Sequence, residues 1–209
     1  MRTDLRDVAT SSSPSLKVGA ESKPQSVARA IQHVMRESPT KLPPAVNAIG
    51  PAAINQAVKA IAIAQRQVGG DGLTVRPVFE SANLREGSNV ALVLDKAAFS
   101  TGADAVVDDA LSVKPSTDAF KLAGAIAGRM RDGQKATILV KGAVPVLIAV
   151  KAIAKAQEYL AQEKDKLSSS TLAFTAALVD RENKDLRNAP TSTFTQFSIL
   201  ALPSAAKAA

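Results

Sequence analysis

Cysteine and tryptophan are absent from this chain of 209 residues, and tyrosine and histidine occur once each. Without cysteine there are no disulfides, no thiolate metal sites and no cysteine nucleophile; that suits a reducing compartment, and a soluble cytoplasmic protein is expected. The one histidine, His33, has no second histidine or cysteine with which to build a triad or a zinc site. The six phenylalanines and Tyr159 fall mostly on alternating or helical apolar positions, which assigns them to a core rather than to base stacking. Long apolar runs are missing too. The most apolar stretch, residues 136–156, is broken by Lys141, Pro145, Lys151 and Lys155, so no membrane span is expected. The opening "MRTDLRDVATSSSPS" has no apolar signal segment and carries Asp4 and Asp7. Residues 1–14 therefore read as a disordered lead-in.

What is present is small and aliphatic. Hydrophobic residues make up 46% of the chain, enough to bury a core in one large domain or two of about 100 residues. The formal charge of +7 suits an anionic partner. It is spread evenly, with 10 basic and 6 acidic groups in residues 16–96 and 14 and 11 in 97–209, so no strongly basic domain stands out. Chemistry-bearing motifs are scarce. Gly69, Gly70, Asp71 and Gly72 form a turn before a strand, whereas a phosphate loop follows one. Asp108 with Asp109, and Asp180 with Glu182, are carboxylate neighbours without acid-base geometry. The expectation is a protein that is not an enzyme and needs no cofactor or metal.

One helix is written twice. "AINQAVKAIAIAQ" (53–65) and "VLIAVKAIAKAQ" (146–157) share Val-Lys-Ala-Ile-Ala at 58–62 and 150–154, an offset of 92 residues. Upstream, residues 15–38 match 110–133 at an offset of 95: Leu16 and Val18 fall on Leu111 and Val113, Ala30-Ile31 on Ala125-Ile126, and Met35-Arg36 on Met130-Arg131. A loop three residues longer in the first copy accounts for the change, after which Gly50 lands on Gly142. An ordered series of matches with one loop indel is the mark of a duplicated domain, and its spacing is far too long for a solenoid repeat.

Within a copy the periods are plain. "SLKV" alternates and reads as a strand. Ser22 and Gln25 have capping-box spacing around Pro24, and Val27, Ala30-Ile31 and Val34-Met35 form the stripe of an amphipathic helix ending near Ser38. "AVNAI" is a short strand closed by Gly50-Pro51. A second helix follows with its stripe at Ile54, Ala57-Val58, Ile61 and Ala64-Gln65. "LTVRPVF" and "NVALVL" are alternating strands around the turn "ESANLREGS". The fold class is α+β: two β-α-β-α-β-β two-layer units, residues 15–96 and 110–203, joined by a linker at 97–109 and followed by a tail at 204–209. A fused pair of this kind is expected to pack as an internal pseudo-dimer.

These residues carry a resemblance. The lysine-bearing first strand "LKVGAESK", the helix opening Pro24-Gln25-Ser26-Val27-Ala28, and above all the run "GPAAINQAVKAIAIA" at 50–64 resemble the stage V sporulation protein S family over residues 15–95. The second copy, 110–202, is a diverged relative that keeps Gly142, Ala149-Val150-Lys151-Ala152 and Ala154 but has Leu147-Ile148 in place of Asn55-Gln56. The resemblance implies an Alba-like fold, in which paired units often bind DNA or RNA through basic residues of the first strand, the start of the second helix and the last hairpin loop. By position this implies Lys17, Lys23, Asn55, Gln56, Lys59 and Arg85 in the first copy, and Lys114, Lys141 and Lys151 in the second.

Two functions compete on these grounds. One is a non-catalytic tandem module binding nucleic acid non-specifically, with Lys59 and Lys151 each neutralising a phosphate unless they are solvated helix-face lysines. Asn55 and Gln56 serve either an anion at a helix start or an interface between the copies. The other is a structural or adaptor subunit docking onto protein partners in a large assembly, cytoskeletal (for example axonemal) or ribonucleoprotein, for which Leu147-Ile148 adds apolar surface. Nucleic acid and protein are thus the expected partners, and a membrane is not.

Overall fold

The computed structural model describes residues 14–37, 43–67, 72–81, 83–97, 109–163, 170–181 and 191–203. Phe99, Asp108, Glu182, Gly69 to Asp71, most of the lead-in and linker, and the tail lie outside them. The chain divides into two compact units, Met1–Ser100 and Thr101–Ala209.

The N-terminal unit runs β1 (Ser15–Val18), α1 (Pro24–Glu37), β2 (Ala45–Ile49), α2 (Gly50–Gln67), β3 (Gly72–Phe79) and β4 (Asn89–Ala97). Its strands are ordered β1-β2-β4-β3, β1 parallel to β2 and the others antiparallel. Strand side chains alternate between faces. Val18, Val46, Ala48, Leu73, Val75, Leu92 and Leu94 are buried with Ile31 of α1 and Ile54, Val58 and Ile61 of α2. The opposite face carries Lys17, Asn47, Ala91 and Val78, aligned in one row across the four strands.

The C-terminal unit repeats this order with β5 (Leu111–Val113), α3 (Ala119–Arg131), β6 (Ala136–Val140), α4 (Ala143–Ala161), β7 (Ser170–Arg181) and β8 (Ser192–Pro203). Its strands are ordered β5-β6-β8-β7 with the same senses of pairing. The core of this unit is aliphatic as well but also holds two fully buried aromatics, Phe174 and Phe197, with ring centroids 5.0 Å apart.

Details invisible at the level of periodicity are also written twice. Gly50 and Gly142 have φ of 84° and 97°, the left-handed region that lets the chain turn sharply from strand into helix in each unit. At the far end of that helix, Gln65 Oε1 accepts the N–H of Leu73 at 2.5 Å, and Gln157 Oε1 accepts the N–H of Leu172 while its Nε2 donates to Ser170 O. The glutamine that ends each repeated motif thus ties its helix to the first residues of the next strand.

The expected capping box does not form. Ser22 Oγ turns back to accept the N–H of Gly19 at 3.0 Å, and Lys23 occupies the cap position, its carbonyl accepting the N–H of Val27. The same turn recurs in the second unit, where Thr117 Oγ1 accepts the N–H of Lys114 at 2.9 Å. No described helix is long and apolar enough to cross a membrane.

Candidate functional site

One end of the N-terminal sheet gathers three of the six candidates of the first copy, Lys17, Lys23 and Arg85. Val18 and Ala48 pair at the ends of β1 and β2, Ile49 pairs with Asn89 at the start of β4, and Gly50 N–H donates to Ser88 O of the β3–β4 hairpin at 2.9 Å. The turn after β1, the start of α2 and the hairpin therefore share that end. Lys17 and Lys23 are exposed there, and Arg85 is exposed on the hairpin, where an Asn83 side chain accepts its backbone N–H at 3.2 Å. In the C-terminal unit the corresponding end holds Lys114 and Lys141, both exposed. Lys141 Nζ donates to Ser192 Oγ at 2.9 Å and lies 5.8 Å from the Phe194 ring centroid.

The remaining sequence candidates are elsewhere or differently engaged. Because Gly50 starts α2 at once, Asn55 and Gln56 fall in its second turn, a correction to their expected place in the first. The first turn itself offers little to an anion: Gly50 N–H is taken by Ser88 and Pro51 has none. Gln56 Nε2 points to Ala20 O at 3.4 Å within the same unit, bracing α2 against the turn after β1. Lys59 is the tenth residue of α2, roughly 13 Å along the axis from its start at 1.5 Å per residue, so it is not joined to the end cluster. Lys151 has the equivalent place in α4, where partial burial holds its ammonium below the usual lysine value. His33 is exposed on α1. Among the described residues no group of three His, Asp or Glu side chains is placed to hold a metal.

Lys23 breaks a local rule. In the C-terminal unit the same cap position is Asp118, whose Oδ1 accepts the N–H groups of Phe120 and Lys121 at 2.7 and 3.1 Å. Helix starts favour such short oxygen acceptors and negative charge. A lysine there neither caps nor complements the dipole.

The open face next to this end is a groove of about 610 Å³. Lys17 and Asn47 line one side, Val78, Glu80 and Asn89 the other, and Ile49 stands at its lip with 67% of its surface exposed. Glu80 Oε2 accepts from Asn89 Nδ2. Sequence reasoning missed Asn47, Glu80 and Asn89. The available signal was the lone polar residue in the apolar strand "AVNAI", which has an outward face only once the register is known.

A family model described as stage V sporulation protein S matches residues 14–95 and again 109–187. No curated protein matches the chain.

Proposed function

From the premise that this chain belongs to the stage V sporulation protein S family and carries its domain twice, we propose that it binds nucleic acid through backbone contacts, chiefly with its N-terminal unit. The observation carrying this reading is Lys23. A cation stands at a helix cap where the sister unit has an effective aspartate, at the same end as exposed Lys17 and Arg85. Departures from local preference concentrate at functional sites, and three cations around backbone turns suit phosphate oxygens. Lys114 and Lys141 give the second unit a weaker counterpart. Direct titration of DNA and RNA tests it. Binding should be clear at about 50 mM salt and fall steeply as salt rises; no binding at that concentration would remove the reading.

A second reading, an adaptor subunit in a cytoskeletal or ribonucleoprotein assembly, is favoured by α4. Its outward positions Val144, Leu147 and Ile148 replace Ala52, Asn55 and Gln56 of α2, and Val144 is 44% exposed. Native co-purification with and without nuclease separates the two: proteins retained after nuclease support the adaptor, and their release with the nucleic acid supports the first reading.

A further inference from the structure

We infer that the groove of the N-terminal unit seats one unpaired nucleotide, its phosphate toward Lys17 and a base edge rich in donors, that of guanine, toward Glu80. This rests on the nucleic-acid reading above and adds to it a substrate class, single strands bearing guanine. The groove's volume of about 610 Å³ lies in the range of small-molecule sites, roughly 300–1,000 Å³. Its charge is polarised. Lys17 lies on β1 and Glu80 just past β3, three strand spacings away, or about 14 Å.

A surface built for phosphodiester alone gains nothing from a carboxylate. Glu80 therefore points to a ligand that is anionic at one end and a donor at the other. Ionised, it only accepts hydrogen bonds, and its two oxygens offer about four lone-pair positions, more than Asn89 Nδ2 uses. Guanine's Watson–Crick edge presents adjacent N–H donors in the fork geometry that suits a carboxylate. Asn47, half-buried in the middle of the row, supplies a further amide. Ile49, Val78 and Ala91 give the base an aliphatic surface, consistent with the chain's poverty in aromatics. Such an edge is open only in an unpaired base.

The duplication provides an internal comparison. Strand register places Ser112, Leu139, Val179 and Phe194 where the first unit has Lys17, Asn47, Glu80 and Asn89. Leu139, Ala177 and Val179 are buried there, with Phe194 and Ala110 packed against them. Asn47, Glu80 and Asn89 thus have apolar counterparts that close this part of the face, while Lys17 is matched by an exposed serine and Ala91 by the buried amide of Gln196.

The test uses the full chain and two fluorescent octanucleotides, one all uridine and one with a single central guanosine. Wild type should bind the guanosine strand roughly tenfold more tightly. Glu80→Gln, which turns an amide NH₂ toward the guanine donors, and Asn47→Leu, which copies the second unit, should each erase that preference. Equal binding of both strands by wild type, or a preference that survives both substitutions, overturns the inference and leaves backbone binding standing. Failure to bind either strand at about 50 mM salt overturns both.

Discussion

At the scale of single residues, Gln65 and Gln157 show how a repeat preserves a hydrogen bond rather than only a hydrophobic pattern. Each satisfies a backbone N–H at the beginning of a strand whose side chains, Leu73 and Leu172, are buried. Removing the acceptor leaves that donor unsatisfied, at a cost of about 1–3 kcal/mol. Gln65→Leu and Gln157→Leu should each destabilise by that amount in chemical denaturation; an unchanged midpoint for either would show that water replaces the side chain at no cost. A second prediction concerns the caps. Lys23→Asp gives the first unit the acceptor that the second already has, and should stabilise it by about 1 kcal/mol while lowering the salt slope of nucleic-acid binding by about one. Asp118→Lys should destabilise by a similar amount. Opposite signs for the stability changes in denaturation curves are the expected result, and a loss of stability in both would mean that Lys23 is held by something other than function.

At the scale of elements, the ends of the helix pairs are fastened differently in the two units. Gln32 Nε2 donates to Gln67 Oε1 at 2.7 Å between α1 and α2, a neutral bond. Between α3 and the residues after α4, Arg131 makes a two-pronged ion pair with Glu163 at 2.5 to 3.0 Å. Hydrogen bonding from Arg131 holds the Glu163 carboxyl below the ordinary glutamate value of 4.5. A carboxyl depressed in the folded state contributes stability above that ordinary value and loses it as pH falls through the lowered folded value. Glu163→Gln should therefore flatten the loss of stability below about pH 4.5 and leave the pH dependence near neutrality unchanged. Thermal melts of both proteins from pH 3 to 7 check this, and parallel curves throughout would contradict it.

Much at this scale was legible beforehand. The strands, helices and their order follow from alternation, from 3.6-residue stripes and from the doubled Gly50/Gly142 and Val-Lys-Ala motifs, because these patterns record burial directly. The site was less legible. Ser22 has capping-box spacing yet bonds backwards to Gly19, since a local turn competes for its hydroxyl. Asn55 and Gln56 were expected in the first turn because a left-handed glycine that begins a helix one residue after a strand leaves no mark in the pattern. The groove escaped notice for a simpler reason. Its residues come from four strands, and their alignment depends on register, which no single segment encodes.

For the whole molecule, duplication allows the copies to differ in purpose. The first unit keeps a polar open face, Lys23 at a cap and Gln56 bracing its turn. The second has filled that face with Leu139, Val179 and Phe194, restored the cap with Asp118, and replaced the amides of the repeated helix with Leu147 and Ile148. Each change in the second unit exchanges exposed chemistry for stability or apolar surface, as a copy relieved of ligand binding would. Binding energy is then expected to reside in the first unit even though the two carry similar net charge. The most direct measurement is the salt dependence of nucleic-acid affinity for the wild type beside two full-length variants, Lys17→Ala/Lys23→Ala/Arg85→Ala and Lys114→Ala/Lys141→Ala. The first variant should lower the slope of log affinity against log salt by about 2 to 3 and the second by less than one. Equal slopes for the wild type and the triple variant, with binding retained, would contradict that expectation.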